Sequence, residues 1–329
     1  MPSAEARGSS RSLKNRNRRV SKMSAPSVKQ ILCLSFAVCL FTLVKPLHGQ
    51  ELQNLEREGV VILYEESLRK GAEEAADLYP KVKEDLENVL PWRVGFTPTI
   101  LLIKKNETFQ RIAGNDLIVA FAVPEKNLMV IDYSKMNTGP FTIEATMKHE
   151  LCHLLLHHQV DNGNLPKWLD EGLAQWVSQG LGEIIINQKK SILNETVLRG
   201  QYIRIRTLTK RFPMERNSLL LAYEASLSFV EYIIRKYGID GISRVIERLK
   251  AGDTQETAFS AGLSISLDDL EKGWHDALRK RTTWFMYVVN HLYEILFFLA
   301  ALITIFGFIK AFMRKRAYKS EDEDASSWD

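Results

Sequence analysis

The spacing of apolar residues changes character once along the chain. Gly59–Tyr64 (GVVILY) is a short unbroken apolar run that predicts a buried strand. After it Leu68, Ala72, Ala75, Leu78, Val82, Leu86 and Val89 recur every three or four positions, the period of one helical face, with Pro80 expected to kink the helix. Pro98 introduces a second strand, Thr99–Ile103, and the runs Leu117–Val123 and Leu128–Ile131 flank Pro124-Glu125-Lys126-Asn127 in the pattern of a hairpin. From Phe141 onward every signal is helical. Strands first and helices afterwards predict an α+β domain, a mixed sheet followed by a helical half, over residues 51–281.

Two further apolar blocks lie toward the ends. Residues 31–44 (ILCLSFAVCLFTLV) are uncharged over 14 positions, the length of a signal-peptide core and short of the about 20 residues a membrane span needs. Residues 1–30 hold eight Lys/Arg against the single acid Glu5. Residues 1–49 are therefore assigned to a basic n-region and signal peptide, with Met23 as a candidate true start that leaves an ordinary short one. The second block, 284–309, carries Trp284, Tyr287 and Tyr293 at its leading end and Lys310, Arg314, Lys315, Arg316 and Lys319 behind it, the layout of a transmembrane helix with interfacial aromatics. Residues 310–329 then form a charged cytoplasmic tail, and residues 51–281 lie outside the cytoplasm. Arg279, Lys280 and Arg281, just before the span, run against the positive-inside bias, but an exported N-terminus decides the orientation.

Composition narrows the function classes. With 45% apolar and 26% charged residues the chain can bury a core. Its formal charge of +4 divides into +7 for residues 1–30 and −3 for the rest, so no nucleic-acid-binding face is indicated. Of three cysteines only Cys152 lies outside the N-terminal apolar run, which excludes a disulfide framework and a cysteine-based zinc knuckle.

The chemistry concentrates in His149-Glu150-Leu151-Cys152-His153. Two histidines four apart on a helix project from one side and can bind one cation, with Glu150 on the flank. Ile143, Met147, Leu151, Leu154 and Leu155 supply the opposite, buried face, so the ligand side is expected to point outward. A second helix begins in Pro166-Lys167-Trp168-Leu169-Asp170-Glu171-Gly172, and a carboxylate at Glu171 can complete a His₂Glu zinc site, leaving a fourth position open. Gln159 and Leu156 stand where a third histidine and a glycine would mark a metzincin. Gln175 and Ser178 continue the Glu171 stripe and are candidates for orienting a ligand.

HELCH followed by PKWLDEGLAQW resembles the gluzincin metallopeptidases, and specifically the bacterial peptidase MA-like family, over roughly residues 59–280. The resemblance implies that His149, His153 and Glu171 hold one zinc ion per chain and that Glu150 is the general base. Leu221-Ala222-Tyr223-Glu224-Ala225-Ser226 is similar to the place where the aminopeptidase branch carries a catalytic tyrosine, which matches Tyr223. The chain departs from that branch in having no Gly-Ala-Met-Glu-Asn segment before the zinc helix to hold a free amino terminus. The expectation is a gluzincin-like, membrane-anchored zinc peptidase at a bacterial inner membrane, its body on the periplasmic side. Its partners would be a peptide or protein substrate and no nucleic acid. The edge strand Ala120, Phe121, Ala122 and Val123 would hold an extended substrate by its backbone, with Phe121 as a subsite wall, in an endopeptidase-like mode. The alternatives are an aminopeptidase and a catalytically inactive zinc-fold scaffold at the membrane.

Overall fold

A computed structural model describes residues 52–160, 163–180 and 191–325, with the backbone alone at 282–290, 312 and 314–325. The basic n-region, the apolar run 31–44 and Met23 lie outside the described residues. The fold is mixed α and β: a five-stranded sheet comes first and helices dominate from residue 143 onward.

The sheet is built from β1 (Leu52–Arg57), β2 (Val60–Glu65), β3 (Thr99–Ile103), β4 (Ala120–Val123) and β5 (Leu128–Asp132), in the order β1-β2-β3-β5-β4. β2, β3 and β5 run parallel, while β1 and β4 are antiparallel to their neighbours. Every residue of β3 and β5 is buried, because both faces of the sheet are covered. Val60, Ile62, Ile100, Leu102, Met129 and Ile131 point into the main core. Leu101, Ile103, Leu128 and Val130 point to the opposite face, where they meet Phe109 of α2 (Asn106–Ala113).

On the main-core face, α1 (Arg69–Val89) and α3 (Ile143–Gln159) pack against the sheet and each other. Ala72, Ala75, Ala76, Val82 and Leu86 are buried as the helical period requires, but Val89 is 42% exposed because the helix ends there. α1 passes through Pro80 as one element, so the expected kink does not divide it. The remaining helices are α4 (Lys167–Val177), α5 (Ile192–Leu198), α6 (Arg216–Lys250), α7 (Gln255–Leu263), α8 (Leu267–Asn290) and α9 (Leu292–Ala325). Gly238, with φ 70° and ψ 175°, interrupts the helical backbone of α6. α4 crosses α6 so closely that a Cβ on Gly172 would sit 2.6 Å from the Ser226 carbonyl oxygen and 2.6 Å from Val230 Cγ2. Only glycine permits that approach.

Two differences from the pattern-based expectation have local causes. β1 is absent from it because Leu52-Gln53-Asn54-Leu55-Glu56-Arg57 is a half-exposed edge strand with little apolar signal. The expected strand 117–123 is ordered as a strand only from Ala120, since the Asn115 side chain accepts a bond from the Leu117 N–H at 2.9 Å and shapes a turn there. The hairpin itself is present, Ala120 facing Ile131 and Val123 facing Leu128, with Asn127 in a left-handed conformation at φ 48°.

At the C-terminal end α8 packs on the body through Leu267, Leu270, Trp274 and Leu278. It is followed by Leu292–Ala311 of α9, 20 residues of mean hydropathy 2.3 with none buried, long and apolar enough to cross a membrane. α9 starts beyond a break at His291, whose Nδ1 lies 2.6 Å from Glu294 Oε2.

Candidate metal centre

α3 begins where the Thr142 hydroxyl accepts the Ala145 N–H at 3.2 Å, a cap that starts the helix two turns before His149. The ligand side of this helix does not face outward. His149, Glu150 and His153 are 1%, 0% and 5% exposed, because α4 lies across them. Glu171, in the first turns of α4, is fully buried opposite the histidines.

The three expected ligands converge. His149 Nε2 and His153 Nε2 are 3.1 Å apart, and Glu171 Oε2 lies 3.8 Å and 3.6 Å from them. One donor atom from each residue fits within 4.8 Å of the others. Nitrogens each about 2.0–2.1 Å from a tetrahedral zinc would stand about 3.3 Å apart, so the spacing suits that ion. Neither Glu171 oxygen receives a directed hydrogen bond, although Lys167 Nζ approaches Oε1 to 2.6 Å as an ion pair from one turn earlier. Oε2, the oxygen that faces the histidines, has no such counter-charge, and a buried carboxylate oxygen in this condition is costly unless a further cation meets it.

The outward nitrogens of both rings are held. His153 Nδ1 lies 2.6 Å from Asp170 Oδ1, and His149 Nδ1 lies 3.4 Å from Ser178 Oγ. The Ser178 hydroxyl donates to the Ala174 carbonyl at 2.8 Å, so its oxygen is left to accept from His149 Nδ1–H. Each Nε2 then presents a lone pair to the centre. Electrostatics agree. Burial, and then His153, hold His149 well below the ordinary histidine range, in the neutral form that ligates. For His153 burial pushes the pKa down, but the charges of Asp170 and Glu171 overcome it and raise it to about 10. The carboxylates around this ring favour positive charge at the point where a divalent cation would sit.

Asp170 is the residue that pattern reading missed. It is buried, takes His153 on one oxygen and His157 Nε2 on the other at 3.3 Å, and its pKa is well below the usual carboxylate range: burial opposes this, and His153 prevails. Its sequence signal was its place beside Glu171, which an acid at a helix start explains equally well. Gln175 differs from expectation. Its amide donates to the Glu171 carbonyl at 3.2 Å and the Tyr223 carbonyl at 3.1 Å, bracing α4 against α6 instead of touching a ligand side chain. Tyr223 is buried with Leu117, Leu219 and Leu220, its ring edge-on to Phe212 at 5.0 Å. Cys152 is a buried core thiol, its pKa pushed well up by burial. His158 stacks on Phe96 at 4.0 Å and meets Asn127, away from the ligands.

β4 is the outer strand of the sheet, beside α3. Ala120 and Ala122 face the main core on the α3 side, whereas Phe121 faces the other side and packs on Phe109 at 5.7 Å. Phe121 is therefore not a wall on the ligand side: alternate strand residues point to opposite faces. A cavity of about 200 Å³ adjoins Ser178, lined also by Thr142, Glu144, Lys148 and Gln179.

A family model described as the peptidase MA superfamily matches residues 114–280, which span β4, β5 and the helices that carry the cluster. No curated protein matches the chain.

Proposed function

The chain belongs to the peptidase MA superfamily, and on that premise we propose that it is a membrane-anchored zinc peptidase that cleaves extended peptides internally. One observation carries the reading: His149 Nε2, His153 Nε2 and a Glu171 oxygen meet within 4.8 Å in a buried site. Two imidazoles and one carboxylate are the donor set of an open catalytic zinc site.

Zinc held there supplies Lewis acidity, polarising a substrate carbonyl and making water easier to deprotonate. The protein's own groups do the rest. Glu150, buried between the two histidine positions on α3, takes the proton of the attacking water and passes it to the leaving amine. Tyr223 donates its hydroxyl to the oxygen that gains charge as the carbonyl is attacked. Asp170 and Ser178 keep both imidazoles in the tautomer that points Nε2 at the centre. Lys167 balances part of the charge on Glu171.

Substrate binding along β4 follows from its edge position. Outer strands offer unpaired N–H and C=O groups to any extended peptide. Such binding is sequence-tolerant and needs no free amino terminus. The apolar stretch of α9 supports the membrane anchor, and the signal-like run 31–44 supports an extracytoplasmic body. The deciding experiment measures metal content and peptide-library cleavage of the detergent-solubilised full chain beside Glu150→Gln. Zinc retained in both and cleavage lost only in the variant is the expected result; zinc present with no cleavage by the wild type would leave a scaffold instead of an enzyme.

A further inference from the structure

A second polar cavity, of about 550 Å³, lies between residues 202–206 and α8, and shares no residue with the metal cluster. Arg204, Arg206, Lys272 and Arg279 supply positive charge to its walls, and Asp268, Glu271 and Asp276 supply negative charge. The three carboxylates are already engaged. Asp268 pairs with Arg206 at 3.2 Å and Asp276 with Arg279 at 3.1 Å. Glu271 accepts the Ile205 N–H at 3.2 Å, with His275 Nε2 3.9 Å away. Arg204 and Lys272 are exposed, and among the described residues their side chains have no hydrogen-bond or ion-pair partner. Burial keeps the His275 pKa below its ordinary value, so it adds no third cation at neutral pH. What remains is Arg204 and Lys272 without an ion-pair partner against the one carboxylate, Glu271, that no cation neutralises, a net positive charge facing one cavity, with the Tyr202 ring 4.7 Å from His275 as a flat wall at its side. That chemistry suits a phosphate ester.

The position along the chain says which one. α8 supplies Lys272, His275 and Arg279 and stays helical to Asn290, and the apolar sequence begins at Trp284. From Arg279 to Trp284, the first of the interfacial aromatics, is about 7 Å of helix, so the cavity stands about one headgroup layer, about 5–7 Å, outside that aromatic belt. Lys280 and Arg281 are exposed and extend the positive surface in that direction. Resting on the reading of α9 as an anchor, we infer that this cavity binds the phosphate of an anionic phospholipid headgroup and seats the body on the leaflet that α9 enters. Arg279, Lys280 and Arg281, which contradict the positive-inside bias, then have a local partner in the outer leaflet.

The test uses the full chain in nonionic detergent micelles containing phosphatidylglycerol or phosphatidylcholine, with lipid binding read by native mass spectrometry. Phosphatidylglycerol should be retained in preference, and Arg204→Gln/Lys272→Gln should weaken it about thirtyfold, the combined effect of two cations at a charged lipid surface. Arg57→Gln, on β1, should bind as the wild type does, and both variants should cleave a soluble peptide normally. Undiminished binding by the double variant would overturn the inference, since the lipid would then be held around α9 alone. Equal affinity for free glycerol phosphate would assign the cavity to a soluble anion, and preference for an acidic peptide would assign it to a protein partner; either overturns the lipid. Carbonate extraction of cell membranes tests the anchor separately: release of the chain sinks α9 as a span, whereas lipid retention in micelles is scored independently of it.

Discussion

Gly172 offers the most direct test of how the metal centre is held. Replacing it with alanine gains about 0.8–1 kcal/mol of helix propensity, so an open site would become more stable. The site is closed: the new methyl carbon would stand 2.6 Å from the Ser226 carbonyl oxygen and 2.6 Å from Val230 Cγ2, whereas ordinary contact begins at 3.4 Å. Val230 can rotate, but Ser226 O is backbone of α6, so α4 and α6 must separate by most of the shortfall. Forcing a methyl into a packed interface costs about 1–3 kcal/mol, and a backbone obstacle puts this case at the top of that range. The net loss is about 2 kcal/mol, a fall of about 4–8 °C in thermal midpoint for a body of this size. Because Glu171 is the preceding residue, its carboxylate moves with α4 while the histidines stay on α3, and zinc retention should fall by at least about tenfold, the low end for losing ligand support. Differential scanning fluorimetry and elemental analysis of the detergent-solubilised chain read both effects. Gly95→Ala, where nothing lies within 4 Å, is the control and should be neutral or slightly stabilising. A wild-type midpoint and full zinc content in Gly172→Ala would refute the close-packing argument.

Other outcomes follow from the same geometry. Glu171→Ala should lose zinc on dialysis, and full occupancy would remove Glu171 from the ligand set. Glu150→Gln should keep zinc while turnover drops about 10² or more, and Tyr223→Phe should lower kcat by a smaller factor with KM little changed; unchanged turnover in the first would end the proposed role of Glu150. Asp170→Asn should weaken zinc affinity about 10–100-fold, measured by competition with a chromogenic chelator. N-acetylation of a good peptide substrate should leave cleavage intact, and a strict requirement for the free amine would restore the aminopeptidase reading. The hydrogen bond from Lys148, 2.8 Å away, holds Asp85 below the usual carboxylate range. Its stabilisation, about 0.5 kcal/mol for a partly exposed pair, is therefore present at neutral pH and lost as acid protonates the folded state. Urea titrations of Asp85→Asn should show a deficit at pH 7 that closes as the pH falls below the ordinary carboxylate range; a deficit independent of pH would mean that packing, not charge, is what the substitution removes.

How far the sequence could be read depended on whether a residue's role was set locally. His149, His153 and Glu171 carry their meaning in spacing: four residues on one helix, then an acid at the start of the next, and the structure brings those atoms together. Asp170 does not, because its bond to His153 exists only once α4 crosses α3. The direction of the ligand face was misjudged for the same reason, since an amphipathic pattern cannot tell solvent from a second helix. Phe121 sits in a continuous apolar run, where alternation gives no clue to which face it takes, and only the pairing with β5 shows it. α2 has just Phe109 fully buried, too little for a periodic signal.

The near-complete burial of the ligands bears on when the protein acquires its activity. His149 and Glu171 belong to different helices, α3 and α4, which are brought together only by the folded body. In an unfolded chain the carboxylate and the imidazoles have no fixed separation, so they could not grip an ion tightly. On the zinc-peptidase reading proposed above, metal capture would be a late step that certifies a finished fold, and hydrolytic activity would be withheld until the polypeptide bearing it can no longer be cut by its own kind.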